Sequence, residues 1–153
     1  MDMRHAYSTF TIKAVDDSRR IFEGVATTPT PDRTGDIVES LGAEFTLPLP
    51  LLWQHDSKQP IGWVTDADVT KNGIRIRGEV SNFSEPGKLK DRLDEAWQMM
   101  GKAKLVRGLS IGFKPIEEER IKDSFSYNIK KWLWLELSAV TIPANGDASI
   151  TAI

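Results

Sequence analysis

The chain has 153 residues, the size of one compact domain with its own core, and we expect residues 1–153 to form a single domain. Its 20 Lys and Arg residues and 22 Asp and Glu residues leave a net charge of −2, so no overall basic field exists to hold a nucleic-acid backbone. Cysteine is absent, which excludes thiol nucleophiles, disulfides, cysteine-ligated zinc and iron–sulfur clusters, and the only histidines are His5 and His55.

The N-terminal sequence MDMRHAYSTF is polar and charged, unlike the apolar segment of a signal peptide. No apolar run approaches the ~18 residues that a membrane span needs. We therefore expect a cytoplasmic protein with neither nucleic acid nor membrane among its partners, and we assign it no cofactor and no metal ion.

Alternating apolar and polar residues predict strands in the first half of the chain. Ser8–Lys13 and Arg20–Ala26 flank a turn at Asp16-Asp17-Ser18 and predict a hairpin, and the proline-rich segment Thr27–Asp36 predicts a loop. The Asn-Gly dipeptide at residues 72–73 predicts a second hairpin. The strands predicted beyond the loop are Leu49–Gln54, Ile61–Val69 and Gly73–Val80.

One helix is predicted after residue 83, capped by Ser84, with Pro86 in its first turn and Gly101 as its stop. Its apolar positions at helical spacing are Leu89, Leu93, Ala96, Trp97 and Met100. The strands predicted after it are Leu105–Ile116, Phe125–Ile129 and Trp132–Ile142. Many short strands in a small domain need covered edges, so we predict a mainly β (α+β) fold: a closed or nearly closed β-barrel of about seven strands flanked by at least one substantial helix.

His55 ends the apolar run Leu51–His55, and an imidazole at a strand-to-loop junction is typical of catalytic residues. The plainer alternative is a histidine that only satisfies hydrogen bonds at a strand end. Ser110 lies in the Gly-x-Ser-x-Gly spacing of Gly108-Leu109-Ser110-Ile111-Gly112. The following residues continue as a strand, which disfavours a hydrolase elbow, and glycines in strands also mark bulges or close packing.

Glu136 lies within the apolar segment Trp132–Val140, which we predict to be a central strand whose tryptophans pack in the core. A carboxylate there is costly unless it is paired, although a glutamate on a partly exposed face is an equally good interpretation. With a period of two, Glu136 shares its face with Trp134 and Ser138.

A serine nucleophile needs a base within hydrogen-bond reach and a third group that holds the base. Ser110, His55 and an acid form one such set. Glu136 is the preferred third member, and the alternatives are Asp56, Asp36 and His5. Asp36 also lies with Asp32 in a loop that lacks a full set of oxygen ligands for a cation, so we predict a hydrogen-bonded turn there.

Four groups of short motifs, taken together, resemble the prohead proteases of tailed bacteriophages. In chain order they are Phe22–Ala26 with Asp32–Val38, Leu51–Asp56 with Pro60–Gly62, Gly108–Phe113, and Glu136–Asn145. They extend over nearly the whole chain.

The resemblance implies a herpesvirus-protease-like fold and a serine endopeptidase that cleaves scaffold and major capsid protein precursors, and also itself, inside assembling proheads in the host bacterial cytoplasm. It implies His55 as general base and Ser110 as nucleophile. Related herpesviral enzymes use a second histidine as third member, but no histidine follows His55 here, so an acid is the simpler expectation, and Glu136 lies in the family's glutamate-bearing motif.

Main-chain amides around Gly108 and Leu109, with Gly112 nearby, are the predicted surroundings of the oxyanion and substrate. The alternative function is a non-catalytic barrel that keeps the protease fold and serves capsid assembly or scaffold binding. The helix is a candidate contact surface for a homodimer or a higher homo-oligomer. We expect a protease domain alone, without a fused scaffold segment.

Overall fold

A computed structural model describes residues 3–9, 13–16 and 18–142. This part of the chain is mainly β, with one α-helix, α1 (Lys88–Gly101), and one short 3-10 helix at Ser40–Gly42. The strands are β1 (Arg4–Thr9), β2 (Lys13–Asp16), β3 (Ile21–Thr27), β4 (Ile37–Val38), β5 (Ala43–Glu44), β6 (Leu49–Trp53), β7 (Asp56–Thr70), β8 (Gly73–Val80), β9 (Gly108–Arg120) and β10 (Tyr127–Val140). Neither helix is long and apolar enough to cross a membrane.

The strands form one curled sheet in the order β1-β9-β10-β6-β7-β8-β3-β2, with β4 and β5 paired to β10. Its two ends, β1 and β2, are not paired within the described residues, so the sheet is a curled half-barrel. The predicted mainly β fold with a helix is confirmed, whereas the sheet is open and not the predicted closed or nearly closed barrel. The consecutive strands β1 and β2 lie at opposite ends of the sheet. Only residues 10–12 separate Thr9 from Lys13, so the two ends lie within about 14 Å of each other without a ladder between them.

The hairpin predicted at residues 72–73 is confirmed, and the first predicted hairpin is present, but β3 pairs with β2 and not with the strand predicted at Ser8–Lys13. Strands β2 and β3 pair antiparallel, and β7 and β8 pair antiparallel down to Thr70 opposite Gly73. The predicted strand Ser8–Lys13 is wrong in its bounds, because residues 8 and 9 belong to β1, which pairs with β9, and residues 10–12 lie outside the described residues. The segment between β3 and β4 contains no strand, as predicted.

The two strands predicted at Phe125–Ile129 and Trp132–Ile142 are one continuous strand, β10. Register irregularities between Ile129 and Trp132 let β10 continue past Lys130 and Lys131 while it stays paired to β9. Trp132 and Trp134 are fully buried, which confirms their assignment to the core.

Helix α1 ends at Gly101 as predicted, but it begins later than predicted. Gly87 precedes the first turn with φ 146°, a backbone conformation that favours glycine, so Ser84 and Pro86 lie before the helix and do not start it. The buried face of α1 consists of Leu93, Ala96, Trp97 and Met100, whereas Leu89 is 39% exposed.

Candidate active site

Strand β10 lies between two neighbours, and each of the three strands delivers one polar group to the same place. Strand β9 pairs with β10 antiparallel and places Ser110 opposite Ser138. Strand β6 pairs with β10 parallel and places Trp53 opposite Ala139, so the turn after β6 arrives beside the same residues. Ser110, His55 and Glu136, which are distant in sequence, thereby meet where these three neighbouring strands begin or end.

The turn that carries His55 is held to β10 by hydrogen bonds. Gln54 and His55 both adopt left-handed backbone conformations, with φ 53° and 60°. The Gln54 main-chain N–H donates to the Ala139 carbonyl at 3.0 Å, and its side chain bonds both the hydroxyl and the main-chain N–H of Thr141 at 2.6 and 3.2 Å. These contacts turn the chain sharply, and the His55 ring faces back over β9 and β10.

The three side chains form a continuous hydrogen-bonded chain. Nε2 of His55 lies 2.5 Å from Oγ of Ser110, and Nδ1 of His55 lies 2.6 Å from Oε1 of Glu136. An ionised carboxylate only accepts hydrogen bonds, so in the tautomer that carries the proton on Nδ1, His55 donates to Glu136 and its Nε2 accepts a hydrogen bond from the Ser110 hydroxyl. Ser110 is fully buried and Glu136 is 4% exposed, so water screens these contacts little.

Ser138 supports this chain of contacts, and it was not singled out from the sequence. Its hydroxyl donates to Oε2 of Glu136 at 2.7 Å and accepts the main-chain N–H of His55 at 3.1 Å. One hydroxyl therefore fixes the carboxylate and the turn that carries the imidazole. The available signal was its position two residues after Glu136, on the same face of an apolar strand.

Gly112 makes room for the Glu136 carboxylate. It lies opposite Glu136 across the β9–β10 ladder, and a Cβ atom at Gly112 would lie 2.2 Å from Oε1. The second glycine of the Gly-x-Ser-x-Gly motif thus has a steric role toward the acid. Gly108 and Leu109 are buried at the start of β9, opposite Val140 and Ala139 of β10.

His5 also reaches the site, from strand β1. It lies opposite Gly112, and its ring centroid is 3.7 Å from that of His55, with 37° between the ring planes. Nε2 of His5 lies 4.0 Å from Oε1 of Glu136. Burial, and secondly the neighbouring His55, lower the pKa of His5, and Glu136 opposes them in part. His5 thus lies beside the His55 ring, while Glu136 is the group hydrogen-bonded to Nδ1.

The other acids considered from the sequence bind main-chain groups. Oδ1 of Asp56 accepts the N–H of Lys58 at 2.9 Å, and Oδ1 of Asp36 accepts the N–H of Tyr127 at 2.8 Å. Asp32 accepts three hydrogen bonds from its own loop, two from Thr34 and one from the Asp36 N–H. The prediction of a hydrogen-bonded turn at Asp32 and Asp36 is confirmed.

Residues 35–153 match the family described as caudovirus prohead serine protease. The chain belongs to that family. This confirms the resemblance seen in the motifs. The match includes His55, Ser110 and Glu136 and begins after His5.

Two relatives are similar over most or all of the chain. A capsid polyprotein of Pseudomonas phage PAJU2 is 54% identical over all 153 residues, which span 23% of that protein. A prohead protease of Escherichia phage T5 is 26% identical over 149 residues, covering 90% of this chain and 67% of the relative. No solved structure matches the chain.

Proposed function

We propose that this chain is a serine endopeptidase that matures phage capsids, with Ser110 as nucleophile, His55 as general base and Glu136 as the acid that orients the base. The observation that carries the proposal is the hydrogen-bonded chain from Ser110 Oγ through His55 to Glu136, at 2.5 and 2.6 Å. Family membership and the names of both relatives support the capsid context. The proposed substrates are scaffold and major capsid protein precursors, and the chain itself, inside assembling proheads in the bacterial host.

The proposed reaction is acyl transfer. Nε2 of His55 takes the proton of Ser110 as Oγ attacks the scissile carbonyl, and then returns it to the leaving amine. The imidazolium that forms between these steps lies against the buried carboxylate of Glu136, where low screening strengthens the attraction. Ser138 keeps that carboxylate from rotating, because it holds the oxygen that does not face His55.

The closed state of the site bears on how a substrate enters. Ser110 is fully buried, so a peptide carbonyl reaches Oγ only after a neighbouring segment moves. Strand β1 pairs with β9 along Gly108–Phe113, and its separation would free main-chain amides beside Ser110. We assign the oxyanion to these amides, around Gly108 and Leu109. One such donor contributes on the order of 10²–10³ in kcat in other serine proteases.

The full burial of Ser110 is also the observation that favours the second candidate, a non-catalytic barrel that serves capsid assembly or scaffold binding. A site that never opens would hold the three groups without using them. The herpesvirus-protease-like fold is likewise a proposal, and comparison of an experimental structure with those enzymes tests it.

The experiment compares wild type, Ser110→Ala and Ser40→Ala. Ser40 is the matched control, because it is also buried and its hydroxyl has no hydrogen-bond partner among the residues that the structure describes. Each protein is incubated with a fluorophosphonate probe and, separately, with the coat and scaffold precursors encoded by the same genome. We expect labelling and cleavage by wild type and Ser40→Ala, and neither by Ser110→Ala.

Two outcomes contradict the proposal. Cleavage that persists in Ser110→Ala removes Ser110 from the mechanism. Binding of the precursors by wild type, with neither labelling nor cleavage, supports the assembly barrel instead.

A further inference from the structure

Both histidines of the chain meet at Glu136. In the part of the chain that the structure describes, one ligand atom each from His5, His55 and Glu136 can be chosen so that all three lie within 4.8 Å of one another. The mechanism proposed above uses His55 and Glu136 but gives no role to His5. The presence of a second imidazole against the first therefore needs its own explanation.

Two imidazole nitrogens and one carboxylate oxygen are a ligand set that Zn²⁺ takes in proteins, with water in the fourth position. Bonds of about 2.0–2.2 Å in a tetrahedral arrangement place ligand atoms roughly 3.4 Å apart. Nε2 of His5 lies 4.0 Å from Oε1 of Glu136, and Nδ1 of His55 lies 2.6 Å from the same oxygen. The three ligand atoms of the cluster all lie within 4.8 Å of one another, so shifts of about 1 Å would bring them onto one ion.

The surroundings provide support and access. The side chain of His5 is 33% exposed, which gives an ion an entry path from solvent. Next to it, Arg4 makes a two-pronged ion pair with Glu118 of β9, at 2.6 and 3.1 Å, and this pair holds β1 in register. Ser138 binds the carboxylate oxygen opposite the site, as partners of metal-ligating carboxylates commonly do.

We propose that His5, His55 and Glu136 form a binding site for a Zn²⁺-class divalent ion, and that metal binding and catalysis exclude each other. The second half of this statement rests on the function proposed above. A neutral imidazole that gives its Nδ1 lone pair to a metal carries its proton on Nε2. It then donates to Ser110 Oγ and cannot accept the serine proton. The metal also replaces the hydrogen bond between His55 and Glu136.

The metal site is tested first by binding alone, on the full chain with Zn²⁺ as the probe. Competition with a chromophoric chelator measures the affinity and the number of ions bound by wild type, His5→Gln and Glu85→Gln. Glu85 is the matched control, a carboxylate outside the cluster on an exposed residue. We expect one ion per chain, an affinity at least about tenfold lower in His5→Gln, and no change in Glu85→Gln.

A second readout needs no variant. Because the chain has only two histidines, a nitrogen-15 spectrum of the wild-type side chains contains only two imidazoles. We expect Zn²⁺ to shift the ring nitrogens of both. Equal affinity in wild type and His5→Gln, or a shift confined to one ring, overturns the metal site.

Activity tests the second half of the proposal. Saturating Zn²⁺ should abolish precursor cleavage by wild type and EDTA should restore it, and His5→Gln should need at least about tenfold more Zn²⁺ for the same inhibition. Full activity of wild type with bound Zn²⁺ overturns mutual exclusion. If wild type cleaves nothing even after EDTA, the proposed function fails, and the binding measurement still decides the metal site.

Discussion

Gly112→Ala tests the site without replacing any of its three polar side chains. The new Cβ atom would lie 2.2 Å from Oε1 and 2.8 Å from the carboxyl carbon of Glu136. Ordinary non-bonded contacts lie at about 3.5 Å, so the carboxylate must retreat by about 1 Å. That retreat breaks its 2.6 Å hydrogen bond to Nδ1 of His55. Misplacement of a catalytic group by about 1 Å costs on the order of 10²-fold in rate.

The measurement is kcat for cleavage of a precursor or of a peptide spanning its cleavage site, with thermal unfolding recorded beside it. Gly78→Ala is the matched control for crowding, because its Cβ would lie 2.6 Å from the ring of Phe22, opposite it in the β3–β8 ladder, and none of the nearest contacts of this Cβ is with Ser110, His55 or Glu136. Gly101→Ala is the control for adding a methyl group without crowding, since the nearest atoms, on Trp97, would be 3.8 Å from the new Cβ.

We expect Gly112→Ala and Gly78→Ala each to lose about 1–3 kcal/mol of stability through overpacking. Only Gly112→Ala should also lose about 10²-fold or more in kcat at a temperature where it is folded. Wild-type kcat in folded Gly112→Ala would refute the reasoning, because the carboxylate could then move away without consequence.

Two further predictions concern residues around the three side chains. Ser138→Ala removes the hydroxyl that links Glu136 to the His55 turn, so kcat should fall about 10–100-fold with KM little changed, and an unchanged kcat with a raised KM would assign Ser138 to substrate binding instead. The lowered pKa of His5 means that this imidazole binds a proton more readily in the unfolded chain than in the folded one. The free energy of unfolding therefore decreases as the pH is lowered below about 6.5. The Tm of His5→Gln should therefore fall less than that of wild type when the pH is lowered from about 7.5 to about 5. Parallel Tm profiles of the two proteins would contradict this.

Much of the candidate site could be predicted because the chain offers few alternatives. With no cysteine and two histidines, a serine nucleophile has only His5 or His55 as a histidine base, and His55 follows an apolar strand. Glu136 could be identified as a candidate site residue because burying a carboxylate in a central strand costs free energy unless the carboxylate has a partner. The structure brings Ser110, His55 and Glu136 together, and it also brings His5, which the sequence placed only as an alternative third member.

What could not be predicted depends on contacts between distant segments. Nothing local in Arg4–Thr9 indicates that this strand joins β9 while β2 joins β3 at the other end of the sheet. The same holds for β10, whose lysines at 130 and 131 look like a break but lie in register irregularities of a continuous ladder. The start of α1 was misplaced for a local reason, because Ser84 and Pro86 are good helix starters, but Gly87, with φ 146°, lies between them and the first turn.

The central position of β10 also determines when the site can exist during synthesis. His55 and Ser110 leave the ribosome before Glu136 and Ser138, the two residues that would hold the imidazole. In the part of the sheet that the structure describes, β10 lies between β6 and β9. In a nascent chain in which β10 has not yet paired with β6 and β9, Ser110 and His55 are present but are not held next to each other. The three groups can therefore come together only after residue 138 has been made and β10 has paired with both β6 and β9.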